Sequence, residues 1–242
     1  MNFFKPKFWD KTEFSLFSLL LYPITLIIKL LTLLKPLLAK KNQCSIPVIC
    51  VGNIYLGGTG KTPLSIEIYS ILKDLNMNPA FIRKKYLSFQ DEVELQKQTG
   101  PVYQNKKRIE AIKEAIQNNI DIAILDDGFQ DFSINKDLSV VCFNENQWIG
   151  NGLTIPSGPL REDLSSLKRT NLVFINGKKN TDIESKIEKI DTLFLSQNFG
   201  LKKFIYDYLY IFFYFYDHII QYILTMIFNY FANLMFFFLI IL

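Results

Sequence analysis

The stretch Ile46-Pro47-Val48-Ile49-Cys50-Val51-Gly52-Asn53-Ile54-Tyr55-Leu56-Gly57-Gly58-Thr59-Gly60-Lys61-Thr62 decides the fold. Its first six residues are a short apolar run bounded by a turn signal, which reads as a buried strand. Glycines follow, and Pro63 to Leu75 reads as a helix. A strand, a glycine-rich turn and a helix opened by Lys-Thr form the context of a phosphate-binding loop. Glycines let the backbone curl so that N–H groups point inward at phosphate oxygens, and the helix N-terminus adds partial positive charge. Lys61 can then reach the terminal phosphates of a nucleotide, and the Thr62 hydroxyl can ligate Mg²⁺. Gly57, Gly58, Thr59, Gly60, Lys61 and Thr62 are therefore the phosphate-binding candidates. The spacing is a variant: Tyr55 stands where the pattern GxxxxGK[ST] has its first glycine.

Outward from this loop, strand-like and helix-like runs alternate between Ser45 and Ser196. Lys106 to Gln117 reads as a charged helix. Ile120 to Leu125, Leu138 to Phe143 and Asn171 to Ile175 read as strands. Such alternation predicts an α/β fold: a mostly parallel sheet flanked by helices, of the P-loop NTPase type. The Ile120–Leu125 strand runs into Asp126-Asp127-Gly128-Phe129-Gln130. Aspartates at the carboxyl end of a strand beside a P-loop are where Mg²⁺ is held. Two adjacent carboxylates also repel each other unless a cation intervenes, so Asp126 and Asp127, with Thr62, are the metal candidates. The competing reading is a solvated Asp-Asp-Gly turn.

Upstream, Phe14 to Ala39 is a long apolar stretch interrupted by Lys29 and Lys35. Ser15, Ser18, Tyr22, Thr25, Lys29 and Thr32 follow at spacings of three and four, a single polar stripe on a helix otherwise built of Leu, Ile and Phe. This predicts a helix lying in a membrane interface, its lysines toward the headgroups; a membrane span and a soluble core helix are the alternatives. Downstream, from Phe204 to Leu242, the composition shifts to Phe, Tyr, Ile and Leu, and the 24 residues from Ile219 carry no charge. That tail reads either as a membrane anchor or as readthrough in a shifted frame. Three regions are thus expected: a membrane-docking helix (1–41), a P-loop core (42–197) and an apolar tail (198–242).

Composition narrows the function classes. Apolar residues make up 49% of the 242 and charged residues 21%, which excludes wholesale disorder and collagen-like repeats. A net charge of +4, from 27 basic and 23 acidic residues, is too balanced to indicate nucleic acid. Cys44, Cys50 and Cys142 have neither CxxC spacing nor histidines beside them, so neither a zinc site nor a disulfide framework is expected.

Taken together, these strings resemble the tetraacyldisaccharide 4′-kinases, which phosphorylate the lipid A precursor. The matching residues are Val51-Gly52-Asn53-Ile54 leading into Gly57–Pro63, the DDGFQ string at 126–130, Gly150-Asn151-Gly152, Pro156-Ser157-Gly158-Pro159-Leu160-Arg161-Glu162, and the run 171–177. Trp9 ahead of the apolar helix resembles the start of the family's membrane-docking segment. The resemblance implies transfer of the γ-phosphoryl group of ATP, with Mg²⁺, to the 4′-hydroxyl of an acylated glucosamine disaccharide at the cytoplasmic face of the bacterial inner membrane. By the same resemblance Arg161 is a phosphate or lipid contact. Asp91, in Gln90-Asp91-Glu92-Val93, resembles the aspartate of a Gly-Asp-Glu-Pro motif implicated in the catalytic base. Asp91, Asp127 and His218 are the catalytic candidates, His218 because the family places an Asp-His pair in a smaller C-terminal domain and Asp217-His218 is the one such pair here.

The chain also departs from the family pattern. Ile82-Arg83-Lys84-Lys85-Tyr86 lacks the glycine of an Arg-Gly-Tyr string, and Asp131 follows DDGFQ where a histidine is usual. Two alternatives stay open: a membrane-associated P-loop ATPase, against which Leu56 replaces that group's second lysine, and a non-catalytic nucleotide- or lipid-binding relative.

Overall fold

In the computed structural model the described residues are 5–10, 15–85, 90–177, 185 and 193–196. The expected tail at 198–242 lies outside them. Seven strands, β1 Val48–Gly52, β2 Pro79–Lys84, β3 Val102–Asn105, β4 Ile122–Asp126, β5 Leu138–Asn144, β6 Leu172–Asn176 and β7 Leu193–Ser196, form one sheet. Its order is β3-β2-β4-β1-β5-β6-β7, and every pairing is parallel. β1 and β4 are buried along their whole length, because helices cover both faces of a parallel sheet and leave no room for polar alternation.

Helices α1 Leu16–Leu38, α2 Lys61–Asp74, α3 Gln90–Thr99 and α4 Arg108–Gln117 accompany the strands. In α2, Leu64, Ser65, Ile68, Tyr69, Ile71 and Leu72 are buried, a helical period that turns one face to the sheet. The helix starts two residues before the expected Pro63. A proline is tolerated in the first turn, where its missing N–H would have no intrahelical partner. Strand β4 starts two residues later than expected, because Asn119 turns with φ +59° and the Ile120 N–H still donates to Ala115 O (3.2 Å), closing α4. The described residues between 79 and 105 contribute β2, α3 and β3, which the sequence pattern does not predict.

Helix α1 has 23 residues, about 34 Å, and is long and apolar enough to cross a bilayer. It contradicts one expectation. The polar stripe does not point to headgroups; its centre points into the protein. Ser18 and Thr25 are buried, while leucines on the opposite side are bare: Leu16 and Leu37 are 79% exposed and Leu38 83%. The reason is a loop more than a hundred residues away. Thr25 Oγ1 donates to Ser157 Oγ (2.8 Å) and accepts from the Ser157 N–H (3.1 Å), and Ser157 Oγ donates to Ser18 O (2.9 Å). Lys29 reaches Asp163 (2.7 Å) instead of turning outward. Trp9 is buried against the same loop, its Nε1 donating to Pro156 O (3.1 Å).

Candidate active site

The register of β1 against β4 assembles the site. Val51 lies beside Asp126, and the Asp127 N–H donates to Val51 O (2.9 Å), so the glycine turn and the acidic turn leave neighbouring strand ends. Gly52 makes this possible: a Cβ there would lie 2.5 Å from Phe129 Cβ, so only glycine lets the two turns approach. Gly60 caps α2 with φ +93°, and a Cβ on it would meet Asn176 Nδ2 at 2.6 Å.

Tyr55, the departure from the usual spacing, is wholly buried. Asn53 takes over the bracing of the turn: its Nδ2 donates to Tyr55 O (2.7 Å) and Gly57 O (3.1 Å). The PSGPLR segment braces it from outside, through Leu56 N–H to Pro159 O (2.8 Å) and Arg161 N–H to Ile54 O (2.6 Å). One segment, 154–161, therefore holds both α1 and the loop.

The two aspartates have separate environments. Asp126 is buried; its Oδ2 accepts from Arg83 Nη1 (2.9 Å) and Gln96 Nε2 (3.0 Å) and stands 3.4 Å from Thr62 Oγ1. Its Oδ1 is buried with no hydrogen-bond partner. Burial raises its pKa, against the opposing pull of Arg83 and Lys61. Asp127 adopts φ +54° and faces the other way. Its carboxylate accepts from Arg161 Nη1 (3.0 and 3.2 Å) and lies 3.8 Å from Lys61 Nζ. Burial alone would raise its pKa, but Lys61, Arg161 and Arg108 outweigh it and lower it. Repulsion between the pair is thus not what calls for a metal, because protein cations already compensate both. Among the described residues no three His, Cys, Asp or Glu side chains converge as a metal cage.

Asp91 stands on α3 at the rim of a cavity of about 320 Å³ lined by Gly58–Pro63, Glu92 and Leu95. Gly57 and Arg161 border the same turns without lining that cavity. His218 lies outside the described residues. Pattern reading missed Gln96, which joins Asp126 to Ser65 (2.9 Å), and Arg108, which donates to Asp127 O (2.8 Å). Gln96 lies on α3, for which the sequence offers no local pattern. Arg83, quoted only for its missing glycine neighbour, is the residue that holds Asp126 and Glu92 (2.5 Å). Burial pushes the pKa of the Cys50 thiol up to about 12.

The family described as LpxK, tetraacyldisaccharide-1-P 4′-kinase, matches residues 17–203. A tetraacyldisaccharide 4′-kinase of Pelagibacter ubique is 47% identical over 193 residues, 79% of this chain and 61% of the relative. That of Colwellia psychrerythraea is 33% identical over 191 residues, 69% of this chain and 56% of the relative. The chain therefore spans about six-tenths of the length of these curated relatives. A crystal structure of LpxK from Aquifex aeolicus, in complex with ATP, superimposes with a TM-score of 0.58 at 23% identity, covering 66% of this chain and 59% of that one, which supports the fold. With most of its length matched by one family and by close relatives bearing one name, the chain belongs to the tetraacyldisaccharide-1-P 4′-kinase family.

Proposed function

We propose that this protein transfers the γ-phosphoryl group of ATP to the 4′-hydroxyl of tetraacyldisaccharide 1-phosphate, at the cytoplasmic face of the bacterial inner membrane. One observation carries the reading: Lys61 and Thr62 of the glycine turn each face an aspartate of the acidic turn, at the mouth of a cavity lined by loop glycines.

The residues fit a nucleotide and its Mg²⁺. Lys61 rests on Asp127 and is positioned to exchange that carboxylate for a phosphate. The unpartnered Asp126 Oδ1 and the Thr62 hydroxyl are suitable oxygen donors for Mg²⁺, the remaining ligands coming from phosphates and water. When bound, Mg²⁺ neutralises charge on the transferring phosphoryl group. Asp91 is assigned to accept the proton of the attacking hydroxyl, with His218 as the second candidate for that task. As the hydroxyl oxygen bonds to phosphorus, the bond to the bridging oxygen breaks and ADP leaves. Asp127 serves by holding Lys61 and Arg161 in place.

For an acyl-chain substrate the reacting hydroxyl must be met at a membrane surface. Residues 1–41 are proposed to dock there through the bare leucine face of α1, and 42–197 to form the nucleotide-binding core. A cavity of about 220 Å³ between α1 and the segment after Arg161, bordered by Lys29, Thr154, Asp163 and Arg169, is a suitable place for the acceptor's head.

The test is transfer of label from [γ-³²P]ATP to tetraacyldisaccharide 1-phosphate in mixed micelles. Wild type is expected to exceed Lys61→Ala by about 10³-fold, the scale of a lost phosphate-neutralising cation. Equal rates would overturn the assignment.

A further inference from the structure

Helix α3 carries Asp91, yet its apolar side chains do little to hold it. Among its described residues Gln96 is the one buried side chain, and Leu95 is 46% exposed and lines the cavity of the glycine turn. A helix of a globular domain is ordinarily fixed by an apolar stripe. Here the fixing groups are polar. Glu92 pairs with Arg83 Nη2 (2.5 Å). Gln96 uses both ends of its amide: Oε1 accepts from Arg83 Nη1 (3.1 Å), while Nε2 donates to Asp126 Oδ2 (3.0 Å) and Ser65 Oγ (2.9 Å). One side chain thus ties α3 to β2, β4 and α2. Ser65 Oγ in turn donates to Thr62 O (2.8 Å), beside the glycine turn. The residue type matters. An amide accepts from a guanidinium and donates to a carboxylate at once; a carboxylate of the same shape cannot donate, and would set a further negative charge against Asp126.

We infer that Gln96 is a positioning residue: by pinning α3 it sets where Asp91 stands relative to the glycine turn. The two residues are five apart, about 7.5 Å along the helix axis and roughly 140° around it. Asp91 therefore lines the cavity while Gln96 faces the interior, and Gln96 acts through the helix between them. The pin ends on Asp126 and on α2, the helix that the glycine turn opens, so α3 is located by the parts of the site itself. A slide of α3 by about 1 Å carries Asp91 with it, and a misplacement of that size costs about 10²-fold in rate. The inference rests on the assignment of Asp91 as proton acceptor made above; the pinning of α3 does not.

The experiment uses the full chain with Gln96→Met, which keeps the length of the side chain and removes its hydrogen bonds. Ser65→Ala removes one of those bonds with a smaller change of shape, and Gln98→Met, at an exposed position of α3, is the comparison. Hydrogen exchange reads the pinning. We expect the amides of residues 94–99 to exchange at least about tenfold faster in Gln96→Met and about threefold faster in Ser65→Ala. Helix α4 should be unchanged, and Gln98→Met should stay within about twofold of wild type. Kinetics read the positioning. In transfer from ATP to tetraacyldisaccharide 1-phosphate, kcat should fall about 10²-fold in Gln96→Met while KM for ATP stays within about threefold. Protection of α3 equal to wild type in Gln96→Met overturns the inference, and so does a loosened α3 with unchanged kcat, or a loss carried by KM alone. If Gln96→Met does not fold, Ser65→Ala takes its place in both assays, with kcat expected to be lower by about threefold. If wild type transfers no phosphate, the proposed activity fails, and exchange, which needs no acceptor, decides for or against the pin.

Discussion

Two polar interiors in this molecule are built in opposite ways. At the ends of β1 and β4 charge faces charge: Asp126 meets Arg83, and Asp127 meets Arg161 and Lys61. Under α1 the buried groups are neutral: the Thr25 hydroxyl donates to Ser157 Oγ, which donates to the Ser18 carbonyl, and the apolar side chains are the ones left outside. The first arrangement holds cations ready for a polyanionic ligand. The second leaves leucines exposed, an arrangement unfavourable in water, which supports the docking proposed for α1.

The comparison can be broken most forcefully at Tyr55, which joins the two regions. Its phenol ring is fully buried beneath the turn, and its backbone pairs with Leu160 of the segment that holds α1. Restoring the usual glycine, Tyr55→Gly, should destabilise the fold by about 3–5 kcal/mol, as truncation of a buried aromatic does, despite improving the match to the motif. Thermal denaturation checks this; an unchanged midpoint would show that the ring contributes little.

Next comes the hydroxyl chain. Thr25→Val keeps the shape but leaves the buried Ser157 N–H without its acceptor, at a cost of about 1–3 kcal/mol. The effect should appear in denaturant midpoint, with nucleotide affinity unaltered. Equal losses in both would mean that the two regions are one cooperative unit.

The adjacent aspartates sharpen the contrast within the site. Asp126 has a folded pKa raised above its unfolded value near 3.9, so ionising it costs stability at every pH above the folded value. Asp126→Asn removes that cost, and Arg83 keeps Glu92; the thermal midpoint at pH 7 should not fall. Asp127 has a lowered folded pKa, so its contribution is complete above about pH 4 and is lost as pH drops through the folded value. Asp127→Asn forfeits it at pH 7, at about 1–2 kcal/mol, or a few degrees. Reversal of the two would mean that the pairings are misassigned. The smallest effect is expected at Lys29. Its bridge to Asp163 is solvent-accessible on both sides, so Lys29→Met should cost under about 1 kcal/mol, read in the same denaturation assay.

How far the sequence could be read follows from the same contrast. The loop and the acidic turn were legible because the glycines and the Asp-Asp pair each directly follow their own strand in the chain, and strand ends in parallel sheets fall on one side. The stripe on α1 was legible as a stripe, since helical period needs only neighbours. Its direction was not, because Ser157 and Asp163, the groups that turn it inward, come 130 residues later. Arg83 and Gln96 escaped for a similar reason: each acts on Asp126 only after β2 and α3 are brought beside β4, and neither carries a local signal.

The central claim is that the turns after β1 and β4 hold one metal–nucleotide complex between them. It is tested most directly by calorimetric titration of ATP into wild type and Asp126→Asn, each with Mg²⁺ and with EDTA. The account predicts that Mg²⁺ tightens binding to wild type by at least about tenfold, the effect of one added charge-assisted contact, and leaves the folded Asn variant indifferent to the metal. Equal Mg²⁺ dependence in the two proteins would contradict it.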